Sequence, residues 1–139
     1  FERMAGTGPS HLDSHHHSAL HPSVQAVFAE TALSRGLPMR ASSVAAREEL
    51  RAAGLRTPDL FLDGFYGEGA NAENLRALIR ALPRGTAELM CHPAHVDERL
   101  LSGSSYAKER ERELALLCDP DVRMLLAQED VELIAFPDL

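Results

Sequence analysis

Apolar positions along the chain fall into two kinds of segment: short runs suited to extended backbone, and longer stretches in which apolar residues recur every three or four positions. The short runs lie at 10–14, 38–41, 59–63, 86–91 and 131–135, and each predicts a strand. Between them a helix is predicted to open at Pro22 and Ser23, with Val24, Val27, Phe28 and Leu33 on one side and Gly36 at its close. Further helices are predicted over 45–53, ended by Gly54, and over 71–82, where Leu75, Leu78, Ile79 and Leu82 share a face before Pro83-Arg84-Gly85 breaks the pattern. Two more follow at 106–118 and 121–128, separated at Pro120, and 102–105 reads as loop. The third strand runs into Gly64-Phe65-Tyr66-Gly67-Glu68-Gly69, whose glycines permit tight turns. No internal repeat interrupts the alternation, which predicts an α/β fold with mainly parallel pairing.

In such folds chemistry collects at the carboxyl ends of strands. Two imidazole-bearing positions fall there. The run His11-Leu12-Asp13-Ser14-His15-His16-His17 ends the first strand and His92 ends the fourth, so two segments far apart in sequence could meet in one pocket. Imidazole is a common ligand for divalent metal and titrates near neutral pH. If the first run stays extended, Asp13, His15 and His17 share one side and His16 takes the other, which limits the run to one or two ligands. A catalytic divalent site needs about three protein ligands and an open position, so this run alone does not complete one. Pro93 restricts His92 to extended backbone at the strand end.

Plainer readings compete at each position. Three consecutive His resemble a purification-tag remnant, although Ser10-His11-Leu12-Asp13 before them and a helix start after them are unlike a tag. His92 could be an ordinary loop histidine, and His95 reads as a solvated one. Asp97 and Glu98 read as surface charges, and Lys108-Glu109-Arg110-Glu111-Arg112-Glu113 as a solvated helix face of alternating sign. Cys91 fits a small buried hydrophobe better than a thiol nucleophile, and Ser14 lacks the glycine-flanked elbow of a serine hydrolase.

Composition narrows the partners. A chain of 139 residues with 45% hydrophobic content supplies the core of one domain. The formal net charge of −7, with no Lys/Arg block, argues against nucleic acid and acidic lipid as partners. Trp is absent, so a broad sugar-stacking platform is not expected, though one or two aromatic walls remain available. Two cysteines outside CxxC spacing make no disulfide scaffold, and a reducing cytoplasm is the expected setting. No apolar stretch reaches the roughly 18 residues of a membrane span and no signal peptide is visible, so no membrane partner is expected. The chain starts at Phe1 rather than Met, as if residues upstream were removed or lie outside the sequence in hand.

Three motifs in order, His11-Leu12-Asp13-Ser14-His15-His16-His17 with Pro22 after it, Phe65-Tyr66-Gly67-Glu68, and Glu88-Leu89-Met90-Cys91-His92-Pro93-Ala94, resemble the YdjC-like carbohydrate deacetylases, which include chitooligosaccharide deacetylase. The resemblance continues through Ser105-Tyr106 and Arg112-Glu113-Leu114 to the final predicted strand. It implies a (β/α)-barrel-like fold, incomplete at its N-terminus, in which residues 1–139 form a single domain and supply roughly the C-terminal half of a barrel of about 250 residues. It also implies metal-dependent hydrolysis of the N-acetyl group of an amino sugar or chitooligosaccharide, releasing acetate. On this resemblance His15 is a metal ligand, His92 and Asp13 are catalytic, and Arg40 and Tyr66 bind substrate. The implied cofactor is a divalent ion, Mg2+ first and Zn2+ as the alternative, and a homodimer is left open. The family's Asp-Asp motif and second metal His would lie upstream of Phe1, and Ala19 stands where the family often has a further His. Low activity of residues 1–139 alone is therefore expected. Two other functions are weighed: a non-catalytic remnant of such a fold that binds metal incompletely, and another metal-dependent hydrolase such as a phosphoesterase.

Overall fold

The computed structural model describes residues 2–139, apart from the side chains at 2, 20 and 22. Its mixed α/β elements fall into two units, one running up to Phe61 and including Ile134–Leu139, the other Leu62–Leu133. The boundary passes through strand β1 (Leu60–Leu62).

The first unit contains helices α1 (Glu2–Ala5), α2 (Pro22–Arg35) and α3 (Val44–Ala52). Both longer helices stop for the reason expected from sequence. Gly36 and Gly54 take left-handed φ of 63° and 88°, and the next residue bonds back into the last turn, Leu37 N–H to the Ala32 carbonyl at 2.9 Å and Leu55 N–H to the Leu50 carbonyl at 3.0 Å. Helix α3 starts at Ser43, whose hydroxyl accepts from the Ala46 N–H at 3.1 Å. The face that α2 buries differs from the expected one. Ala32 is fully buried and Phe28 and Ala29 pack with it, whereas Val24, Val27 and Leu33 are 38%, 64% and 44% exposed. Positions 28, 29 and 32 form one stripe at helical spacing, and the small alanines let α2 approach Met39, Ala41 and Leu50 closely.

The first two predicted strands reduce to one parallel bridge between Leu12 and Met39. Leu12 N–H donates to the Pro38 carbonyl at 2.9 Å, Arg40 N–H to the Leu12 carbonyl at 3.1 Å, and Met39 N–H to the Arg56 carbonyl at 3.0 Å. Buried Met39 is thereby anchored on both sides.

In the second unit the end of β1 pairs with β2 (Ala87–Leu89), and the Met90 N–H donates to the Leu62 carbonyl at 2.9 Å. Helices α4 (Ala72–Arg80), α5 (Glu98–Gly103), α6 (Lys108–Leu117) and α7 (Pro120–Gln128) complete it. Asn71, Asp97 and Asp119 cap α4, α5 and α7 by accepting backbone N–H bonds. Helix α5 covers residues expected to be loop in part, and Asp97 and exposed Glu98 serve as its cap and first turn. Helices α4 and α7 pack together around Phe65, Leu75, Ile79, Val122 and Leu125.

The fifth predicted strand, 131–135, does not form. Asp130 takes a left-handed φ of 54° and the Val131 N–H donates to the Leu126 carbonyl at 2.8 Å, so the segment's first donor is spent closing α7. Leu133 is 75% exposed, and the chain ends in a 3-10 turn over Phe136–Asp138. Among the described residues no helix is long and apolar enough to cross a membrane.

Candidate active site

In the first unit the His-rich run folds into a 3-10 turn over His15–Leu20 rather than continuing extended. His16 and His17 both have positive φ, 54° and 56°, so the side-to-side alternation expected for 13, 15 and 17 does not hold. Exposed His15 stacks on His16 with ring centroids 4.1 Å apart. His17 turns inward and meets the Phe61 ring edge-on at 5.3 Å, and its buried Nδ1 has no hydrogen-bond partner. Asp13, Ser14, His17, Ala19, Met39 and Arg40 line a small cleft there. The Asp13 carboxylate lies 2.9 Å from the Arg40 guanidinium, which also sits over the Phe61 ring. Asp13, Arg40 and His17 are thus brought together, while His15 faces outward.

In the second unit His92 lies two residues beyond Met90, whose N–H bonds the Leu62 carbonyl. Three rings gather there. Tyr66 and Tyr106 stack at 4.4 Å with planes 8° apart, and His92 presents its ring edge-on to both, at 5.4 and 5.8 Å. Tyr66 is 49% exposed, so this aromatic wall opens to solvent. The loop bearing Tyr66 is fixed by its glycines and by Asn74. A Cβ on Gly69 would lie 2.2 Å from the Gly64 carbonyl oxygen, and Asn74 Nδ2 donates to the carbonyls of Gly64 and Gly69 at 2.9 and 2.8 Å.

The charged run 108–113 is not merely a solvated face. Glu113 is fully buried: the Tyr106 hydroxyl donates to its Oε1 and the His92 N–H to its Oε2. Burial and then the bond to Glu113 push the Tyr106 phenol up to about 12, against a smaller downward pull from the Gly67 N–H that it accepts at 2.9 Å. Arg110 donates through Nε to the Tyr106 carbonyl at 2.8 Å and through Nη1 to the His92 carbonyl at 3.2 Å, and its own carbonyl accepts from the Ala94 N–H. Arg112 Nη2 donates to the Gly67 carbonyl at 2.6 Å. Composition hid Glu113 because its neighbours alternate in sign. The spacing of 106, 110 and 113 was the available signal, since residues three and four apart share a helix face.

The described residues thus set one imidazole beside an aromatic wall in the second unit and gather others on a turn in the first. A model of the family described as YdjC-like protein matches residues 1–128, and the chain belongs to that family. It is 42% identical to a carbohydrate deacetylase of Geobacillus stearothermophilus over 94% of this chain and 52% of that protein. It is 35% identical to a chitooligosaccharide deacetylase of Yersinia pestis (strain Pestoides F), over 99% of this chain and 56% of that protein. The chain spans about half the length of the curated relatives it matches. Among solved structures it is similar to a protein named for cellobiose-phosphate cleavage from Enterococcus faecalis V583, with a TM-score of 0.86, 27% identity, and coverage of 97% of this chain and 54% of that one.

Proposed function

We propose that this chain is part of a metal-dependent carbohydrate deacetylase that hydrolyses the N-acetyl group of an amino sugar or chitooligosaccharide, within a (β/α)-barrel-like fold. The observation that carries the reading is its identity, over nearly all of its length, to proteins named carbohydrate and chitooligosaccharide deacetylases.

The donor chemistry suits a divalent cation in part. His17 holds a buried ring nitrogen without a hydrogen-bond partner and His15 stands exposed, but among the described residues no three His, Cys, Asp or Glu side chains are placed to hold one ion. In this reading His15 holds the ion, Mg2+ or alternatively Zn2+, and the other donors come from length that the relatives have and this chain does not span. The chemistry a bound divalent ion supplies is polarisation of the acetyl carbonyl and a more acidic water.

The chain's own groups take the remaining roles. Water adds to the acetyl carbon, the C–N bond breaks, acetate leaves, and the sugar amine takes a proton. In the second unit His92 gives that proton to the leaving amine, and the open face of Tyr66 stacks against a sugar ring. In the first unit Arg40 holds the Asp13 carboxylate at 2.9 Å, which orients it as a proton acceptor.

Incubating the full-length protein with N,N'-diacetylchitobiose and following acetate and free amine tests this. One acetate per new amine is expected, lost on chelation and restored by Mg2+ or Zn2+. No acetate or free amine formed, with the divalent ion present, would overturn it.

A further inference from the structure

We propose that Glu113 and Arg110 are positioning residues that grip the His92 backbone from both sides and so set where its imidazole sits against Tyr66 and Tyr106. The proposal rests on the reading of His92 as proton donor given above.

Beyond β2 the segment bonds to α6. The Met90 N–H is bonded to Leu62, whereas the His92 N–H donates to Glu113 and its carbonyl accepts from Arg110. Pro93 follows and has no N–H to give, so the next backbone donor is Ala94, which bonds the carbonyl of Arg110 itself. Three consecutive backbone attachments of the segment 92–94 therefore run to one stretch of α6.

Glu113 marks the grip as more than routine packing. Burying a carboxylate is costly unless its oxygens are satisfied. Here each oxygen has one donor, and the two donors belong to the two residues that flank the exposed Tyr66 ring, His92 and Tyr106. A single carboxylate thus ties the proton donor and the aromatic wall into one unit. Arg110 adds the matching constraint, since its guanidinium spans the carbonyls of both residues, a reach that the single ammonium of lysine does not reproduce.

Glu113→Gln weakens the grip. Whichever way the amide turns, the His92 N–H loses its carboxylate acceptor, either to a neutral amide oxygen or to an NH2 that cannot accept. In the full-length protein, kcat for acetate release is expected to fall roughly tenfold or more with KM within about twofold, the pattern of a misplaced reacting group. In two-dimensional amide NMR the His92 N–H signal moves upfield and exchanges faster, a readout that needs no turnover. Arg110→Lys serves as the second variant if Glu113→Gln does not fold, with a smaller kcat loss expected and charge retained. Unchanged kcat in a folded Glu113→Gln protein whose His92 amide has shifted would overturn the proposal. An unmoved amide would overturn the grip itself. Absence of acetate release by the unsubstituted protein, with the amide shift intact, would instead remove the deacetylase reading and leave the grip standing.

Discussion

At the scale of single residues, the account turns on a carboxylate that the sequence disguises. Glu113 sits in a run of alternating charges, yet it is fully buried and accepts from the Tyr106 hydroxyl and the His92 N–H. Replacing it by alanine strands both donors, and a loss of about 3 kcal/mol in urea unfolding is expected. Tyr106 gives a pH test. Burial and Glu113 raise its phenol from 10.0 to about 12, so the folded state holds that proton more tightly than the unfolded chain does. The associated stability is fully present below the unfolded value and is lost as pH rises through the folded one. Urea unfolding at about pH 9 and about pH 11 should show a larger drop in the unsubstituted protein than in Tyr106→Phe. Equal drops would contradict it. In residues 1–139 the other tyrosine is Tyr66, so absorbance titration of Tyr66→Phe in this 139-residue chain reads Tyr106. The sequence signalled His92 through Pro93 and its strand-end position, but it held no sign that His16 and His17 would turn to positive φ. Left-handed backbone is uncommon for a non-glycine residue, and no local residue type in the run marks it.

Helices were legible at the element scale because their ends carry their own chemistry. Gly36 and Gly54 terminate α2 and α3 as expected from sequence, while Ser43, Asn71 and Asp119 cap α3, α4 and α7 with side-chain oxygens. Strands were less so. The stretches at 10–14 and 38–41 shrink to a bridge and 131–135 forms none, since a strand exists only where a partner backbone lies beside it. The buried face of α2 escaped for a related reason: Ala29 and Ala32 carry little hydrophobic signal, and Val27 carries more while lying 64% exposed. Two substitutions probe elements directly. Asn71→Ala removes the cap of α4 and should cost about 1 kcal/mol in thermal or urea unfolding. Gly69→Ala places a methyl against the Gly64 carbonyl, and a cost of about 2 kcal/mol or more is expected, together with weaker sugar binding as the Tyr66 loop shifts. Tyrosine fluorescence of residues 1–139, which contain no tryptophan, reads that binding during titration with N,N'-diacetylchitobiose.

For the whole molecule, family membership was legible because three motifs occur in order, and the family model covers residues 1–128. The complete site was not, because ligand convergence depends on packing that spacing does not encode, and the chain spans 52% of its Geobacillus relative. Residues 1–139 alone are expected to release acetate far more slowly than a polypeptide covering the relatives' whole length, in a side-by-side assay with added divalent ion. Equal rates would show that the described residues suffice. The most direct test of the central claim, that His92 protonates the leaving amine, is acetate release by His92→Gln in the full-length protein at saturating N,N'-diacetylchitobiose. The account predicts a kcat about a hundredfold lower with KM nearly unchanged, and a kcat equal to that of the unsubstituted protein would contradict it.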